Sequence, residues 1–192
     1  MQDYYNRNAQ KFFSNTYTLD MSEHHERFLK FLPKKAKLLD AGCGSGRDAK
    51  KFNDLGYEVD AFDASEELVK LARKNTNLPV EKMLFSDMQH SEEYDGIWCC
   101  ASLLHVPISE LPEDMRKLGR ALKKNGVWYV SFKFGSTQRE KDGRVFSDLD
   151  EAGLSEIVKE LPEIEIQEIW ITHDVRKTRN EKWLNAILIK NG

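Results

Sequence analysis

Residues 38–48 read LLDAGCGSGRD: an apolar run closes on Asp40, and Gly42, Gly44 and Gly46 alternate with small residues before Arg47 and Asp48. A backbone this bare lets a ligand come into contact with the chain, beside the positive end of the helix that follows. The flanks fit that arrangement, with Lys37–Ala41 (KLLDA) reading as a buried strand and Ser45–Leu55 as the helix leaving the loop. A second strand, Tyr57–Phe62, runs into Asp63, about twenty residues beyond the loop, where a carboxylate can accept both hydroxyls of a ribose.

The alternation continues along the chain. Ser65–Lys74 is the next predicted helix, with Ser65 as N-cap, acids in the first turn and Arg73-Lys74 in the last. Strands are predicted at Val80–Phe85 and Tyr94–Cys100, then a helix at Glu110–Lys124 that Asn125-Gly126 stops, then a fifth strand at Val127–Phe134. Such alternation argues for a parallel sheet covered on both faces. The end differs: after a helix at Asp150–Leu161, the alternating strands Ile164–Thr172 and Lys182–Lys190 are joined by a link too short for a crossover helix, so they form an antiparallel hairpin. The predicted fold is therefore α/β, a Rossmann-like doubly wound seven-stranded sheet, mostly parallel with an antiparallel C-terminal hairpin. No repeat or low-complexity linker divides residues 1–192, which read as one domain, 1–32 a helical cover and 33–192 the core.

Composition bounds the function. With 192 residues, 40% hydrophobic and 32% charged, the chain is an ordinary globular sequence able to bury a sizeable core. No apolar run approaches the roughly 20 residues that span a bilayer. The start, MQDYYNRNAQKFF, lacks the basic and apolar regions of a secretory signal, so a cytoplasmic location without a membrane partner is expected. Net charge is −3 and the pI about 6.0, and the basic clusters, Lys123-Lys124 and Arg176-Lys177-Thr178-Arg179, are modest, which argues against a nucleic-acid partner. Cys99 and Cys100 are neighbours on a strand and point to opposite faces, so with Cys43 they read as reduced thiols, and no metal site is expected. Monomer is the default state.

The glycine spacing decides between ligands. A dinucleotide fingerprint places its third glycine where this chain has Arg47, and Asp40 at the strand end would repel a pyrophosphate. An acid there suits a cofactor with a cationic amino-acid end, and S-adenosylmethionine carries an ammonium and a sulfonium as well as a ribose. A nicotinamide-linked dehydrogenase and a non-catalytic module that binds S-adenosylmethionine to regulate a partner are the alternatives.

On Asp40-Ala-Gly-Cys-Gly-Ser-Gly46, Asp63, Ser86-Asp87-Met88 and Tyr94-Asp95-Gly-Ile-Trp98, and on the terminal hairpin, the chain resembles the class I S-adenosylmethionine-dependent methyltransferases from Phe31 to Lys190. GCGSGRD followed by GYEVDAFD is also similar to the tellurite-resistance-type branch of small methyltransferases. The resemblance implies that Asp40, Gly42 and Gly44 hold the methionine end of the cofactor, with Cys43 between them. It implies Asp63, next to Ala64, for the ribose, Asp87 for the adenine amino group, and a backbone N–H or flat apolar contact from Met88. The other reading of Asp63 and Asp87 is that they cap loops.

Methyl transfer is an in-line displacement at a carbon activated by its sulfonium, so the protein mainly aligns the acceptor and excludes water. The loop after the fourth strand, Cys100-Ala101-Ser102-Leu103-Leu104-His105, faces the methyl in related folds and lacks the Asn/Asp-Pro-Pro-aromatic motif of amino-group enzymes. His105 is the candidate base, or else a structural histidine bonded to a loop carbonyl. Lys133 and Arg144, in the excursion after the fifth strand, and Arg176 and Arg179, before the last strand, are candidate anion holders, and Arg47 is a further one. They favour a small acidic acceptor or oxyanion. Tyr5, Ala9, Phe12 and Phe13 share a helical face, and similar enzymes use this region as a cover, so Tyr4 and Tyr5 are candidate substrate contacts.

Overall fold

Strand β1 (Lys37–Ala41) buries Leu38, Leu39 and Ala41, as a strand covered on both faces requires. It pairs in parallel with β2 (Glu58–Asp63) on one side and β4 (Tyr94–Cys99) on the other, and β3 (Glu81–Lys82) continues beyond β2. Strand β5 (Leu122–Lys133) lies parallel to β4, and β8 (Ile164–His173) and β9 (Lys182–Lys190) complete the order β3-β2-β1-β4-β5-β9-β8 with antiparallel pairings. In this computed structural model residues 2–176 and 179–192 are described; Lys177 and Thr178 of the predicted basic cluster lie outside the described residues. The seven strands and the antiparallel terminal pair are those expected from the sequence.

Helices α1 (Gln2–Thr16), α2 (Ser22–Leu29), α3 (Arg47–Asp54), α4 (Glu66–Thr76), α5 (Leu111–Ala121) and α6 (Glu151–Lys159) complete the fold. Side-chain alternation on β5 divides the core. Trp128, Val130 and Phe132 pack with Leu118 of α5 and Leu154 of α6, whereas Val127 and Tyr129 pack with Phe28 of α2, Phe52 of α3 and Val69 of α4. On the second face Trp98 stacks on Tyr129 at 3.9 Å between centroids, with Phe28 and Phe52 at 5.3 and 5.4 Å from it. No helix among the described residues is long and apolar enough to cross a membrane.

The structure departs from the expected elements in three places. The third strand shrinks to Glu81–Lys82, an exposed edge with one neighbour, and Phe85–Asp87 turns into a 3₁₀ helix. Helix α5 stops at Ala121 because Leu122, fully buried, extends to pair with Tyr94. The excursion after β5 is a hairpin of β6 (Gln138–Lys141) and β7 (Arg144–Ser147), turned by Asp142 and Gly143 at φ 52 and 69. Asp-Gly is the dipeptide such a turn favours, so this hairpin was written in the sequence.

Gly46 opens α3 at φ +84, and a Cβ there would lie 2.6 Å from Thr76 Cγ2 and 3.2 Å from Ala72 Cβ on α4. Gly46→Ala combines left-handed backbone with a clash between helices. Its expected cost is about 2–4 kcal/mol of unfolding free energy, seen as a lowered urea midpoint with unchanged slope.

Candidate active site

Strand order reverses between β1 and β4, and the loops leaving their C-terminal ends part there, which is where doubly wound sheets bind ligands. A cavity of about 700 Å³ opens at this point, floored by the glycine loop, by Asp63, Ala64 and Ser65 after β2, and by Cys100, Ala101 and Ser102 after β4. Helix α1 roofs it, and the β6–β7 hairpin and the β8–β9 connection close its far end.

The bareness of the glycine loop has a partly internal cause. A Cβ on Gly42 would stand 2.5 Å from that of Ser102, and one on Gly44 3.0 Å from the Phe12 ring of α1. The loop amides are already engaged: those of Gly42 and Cys43 donate to Phe62 O at 2.9 Å each, that of Gly44 to Asp63 Oδ2 at 2.9 Å, and that of Gly46 to Cys43 O at 3.0 Å. These four N–H groups are therefore withdrawn from any phosphate at the loop.

What faces the cavity instead is carboxylate. Asp40 Oδ2 accepts the Ala49 N–H at 2.9 Å, while among the described residues Oδ1 has no partner in the chain. Burial, and then the charge of Asp48, push the Asp40 pKa well up, and a cation seated there would draw it back towards the ionised form. Asp63 lies at the wall with Oδ1 accepting the Ser65 N–H at 2.8 Å, and burial raises its pKa against that bond and the one from Gly44. An ammonium and a ribose diol are complementary to these two acids, so the donor set fits S-adenosylmethionine. Cys43, Ala64 and Ala101 line the cavity between them.

Two expected cofactor contacts, Asp87 and Met88, lie outside the cavity lining. Asp87 is exposed and its Oδ2 accepts the Leu84 N–H at 3.1 Å, the loop-capping alternative. Met88 is buried in the core and its N–H donates to Phe85 O at 3.1 Å, so neither its amide nor its side chain is available. The shortened β3 places Met83, Leu84 and Phe85 on the wall in their stead.

Arg47 lines the cavity but is engaged. Its Nε and one terminal nitrogen reach the two Asp48 oxygens at 2.8 and 2.7 Å, and the other donates to Thr16 O at 3.3 Å. Asp48 also accepts from Trp98 Nε1 at 2.9 Å and pairs with His25 Nε2 at 3.0 Å. Burial opposes ionisation of Asp48, but the Arg47 charge and the His25 and Arg47 hydrogen bonds prevail and hold its pKa far below the usual range.

At the other end, the cavity is lined by Tyr4, Tyr5, His105, Lys133, Arg144, Arg176 and Arg179. His105 sits in a 3₁₀ turn after β4, its Nδ1 2.8 Å from Val145 O and its Nε2 2.7 Å from the Tyr5 hydroxyl. Most of the cations have acids of their own. Lys133 pairs with Glu181, Arg176 with Asp174 at 2.6 Å, and Arg179 with Glu181 at 3.4 Å. Arg144 differs: its ion pair to exposed Asp142 is 3.3 Å, it stacks 3.7 Å over the Tyr4 ring, and its buried Nε has no partner among the described residues. The sequence reading missed Asp174 and Glu181, which lie two residues from Arg176 and Arg179 and pair with them, and Arg139, which pairs with Asp148; of these contacts only that of Glu181 with Lys133 joins residues far apart in the chain.

The profile of a family described as a methyltransferase domain matches residues 7–169. YqeM of Bacillus subtilis (strain 168), assigned as a methyltransferase, is 29% identical over 132 residues, 62% of this chain and 52% of that protein. The ubiquinone biosynthesis O-methyltransferase of Xanthomonas oryzae pv. oryzae (strain PXO99A) is 30% identical over 103 residues, 50% of this chain and 42% of its own. The chain thus spans about half the length of the curated relatives it matches. The fold is shared with the Burkholderia thailandensis 1,6-didemethyltoxoflavin-N1-methyltransferase, solved with 1,6-didemethyltoxoflavin and S-adenosylhomocysteine bound, at TM-score 0.80, 18% identity, 99% of this chain and 85% of that one.

Removing the Asp48 carboxylate leaves the Arg47 guanidinium uncompensated. Asp48→Ala is expected to cost about 3–5 kcal/mol in urea unfolding at neutral pH. Because the folded carboxyl sits below its unfolded value, the unfolded chain takes up the proton first. The wild type's advantage over the variant is therefore full above about pH 4 and shrinks as pH falls further, which unfolding at stepped pH measures.

Proposed function

The chain belongs to the methyltransferase-domain family, and on that footing we propose that it transfers a methyl group from S-adenosylmethionine to a small molecule bearing an acidic group or oxyanion. The observation that carries the reading is the pairing of an internally satisfied glycine loop with two cavity-facing carboxylates, Asp40 and Asp63. A pyrophosphate finds the amides of Gly42, Cys43, Gly44 and Gly46 already taken and two acids on the wall, which disfavours the dehydrogenase alternative, whereas a cationic nucleoside finds both its partners.

In this reading Asp40 takes the ammonium, Asp63 the ribose hydroxyls, and Met83, Leu84 and Phe85 the apolar face of the adenine. When bound, the cofactor supplies an electrophilic methyl already activated by the sulfonium. The protein's contribution is alignment and exclusion of water, and α1 provides the exclusion as a cover over both ligands. Arg144 anchors the acid of the acceptor, since its buried Nε–H has no partner among the described residues and its counter-ion Asp142 is exposed. A small acceptor is in keeping with the toxoflavin-type ligand named for the enzyme that shares the fold.

Calorimetry with S-adenosylhomocysteine tests the reading: saturable binding is expected, and no detectable heat at millimolar ligand overturns it. Asp63→Ala is expected to weaken that binding at least about tenfold, roughly 1.4 kcal/mol, and an unchanged affinity removes Asp63 from the ribose site.

A further inference from the structure

We propose that Tyr5 is a catalytic residue that receives the proton of the acceptor's attacking atom, with His105 positioned behind it to take the phenolic proton in turn, so that the acceptor class is a hydroxyl or an N–H amine. This rests on the methyltransferase reading and narrows its substrate.

The direction of the hydrogen bonds follows from chemistry. Val145 O is a main-chain carbonyl and can only accept, so His105 Nδ1, 2.8 Å away, carries the hydrogen. Burial keeps the ring neutral, lowering its pKa to about 4, with Arg144 and Lys133 acting in the same direction. Nε2 therefore holds a lone pair, and the Tyr5 hydroxyl at 2.7 Å is the donor. Having given its one hydrogen to His105, Tyr5 Oη presents only lone pairs to the cavity it lines. An acceptor with a hydrogen on its attacking atom is complementary to that oxygen. A thiolate, a tertiary amine or a metalloid oxyanion would set lone pair against lone pair.

The same geometry revises the role expected of His105. Its Nε2 is covered by Tyr5, so the imidazole acts on the acceptor through the phenol. The carbon–sulfur bond breaks with its pair left on sulfur, and the bond from the acceptor's oxygen or nitrogen to carbon forms. The acceptor's proton passes to Tyr5 Oη as the Tyr5 proton passes to His105 Nε2, and the imidazolium later releases it to water. A free tyrosinate is avoided, which suits a phenol whose ionisation burial disfavours and that Arg144, by hydrogen bonding to it and by its charge, only partly eases from its place over the rings of Tyr4 and Tyr5 at 3.7 and 5.8 Å. The other charge facing Tyr5 is Asp63.

The test uses the wild type, Tyr5→Phe and His105→Asn, with S-adenosylhomocysteine calorimetry beside a labelled-methyl assay over phenols, enols, amines, thiols and selenite. Transfer to a hydroxyl or amine is expected. Tyr5→Phe should lower kcat about 100-fold with cofactor affinity within about threefold, and the loss should shrink as the acceptor's own pKa falls below the assay pH. His105→Asn should show the same dependence on acceptor acidity. A loss equal for all acceptors, or a parallel loss of cofactor affinity, makes the pair a structural latch and overturns the proposal. So does transfer confined to thiols or selenite, or none to any hydroxyl or amine by a protein that binds S-adenosylhomocysteine. Failure of the wild type to bind S-adenosylhomocysteine instead overturns the underlying reading.

Discussion

A single buried carboxylate, Asp48, gathers His25 from α2, Arg47 from the end of the glycine loop and the Trp98 indole from β4. A charge out of water tolerates no missing partner, so the three elements that donate to it are held in one relation. Phe28, Phe52 and Tyr129 pack around the Trp98 ring, and the low-dielectric surroundings strengthen its bond to Asp48. The consequence for the ligand is indirect. Because Arg47 and His25 are committed to Asp48, the neighbouring Asp40 is left with one backbone amide and an open oxygen. Two acids of one short segment thus acquire opposite characters, Asp48 ionised far below the usual range and Asp40 pushed well above it.

The cover helix is tied down by the residues it covers. Asn6 Oδ1 accepts from Ser65 Oγ at 2.8 Å and from the Glu67 amide at 3.3 Å, at the start of α4, while Phe12 rests on Gly44. Tyr5 meets His105, and the carbonyl of Thr16 receives Arg47. Apart from the Glu67 amide, each tether ends on a residue that lines the cavity, so the order of α1 and the shape of the site are energetically linked. Excluding water from a methyl-transfer site needs such a roof, because a loosely held one would admit a competing nucleophile.

Much of this was legible in the chain. The β-α alternation, the terminal antiparallel pair, Ser65 as N-cap and the acid–glycine–acid pattern depend on local propensity and short spacing, and the structure contains them. Asp87 and Met88 were not, since a two-residue β3 and a 3₁₀ turn rotate them away from the cavity and bring Phe85 forward. No local signal announces where an edge strand ends when both its residues face water. The β6–β7 hairpin was announced by Asp142-Gly143, yet its effect was not, since the carbonyl of Val145 selects a histidine tautomer forty residues earlier in the chain.

The sequence by itself determined the fold class, the switch-point loop and the preference for a cationic nucleoside over a pyrophosphate, because hydrophobic period, glycine spacing and strand-end acids act over a few residues. The tertiary structure alone decided which cations are paired, which amides are occupied, which nitrogen of His105 carries hydrogen and which residues line the cavity. These depend on partners brought together from distant segments: Glu181 beside Lys133, Phe62 beneath the glycine loop, Tyr5 over His105. A residue's charge type is written in the chain, but whether that charge is available is settled by what the fold places next to it.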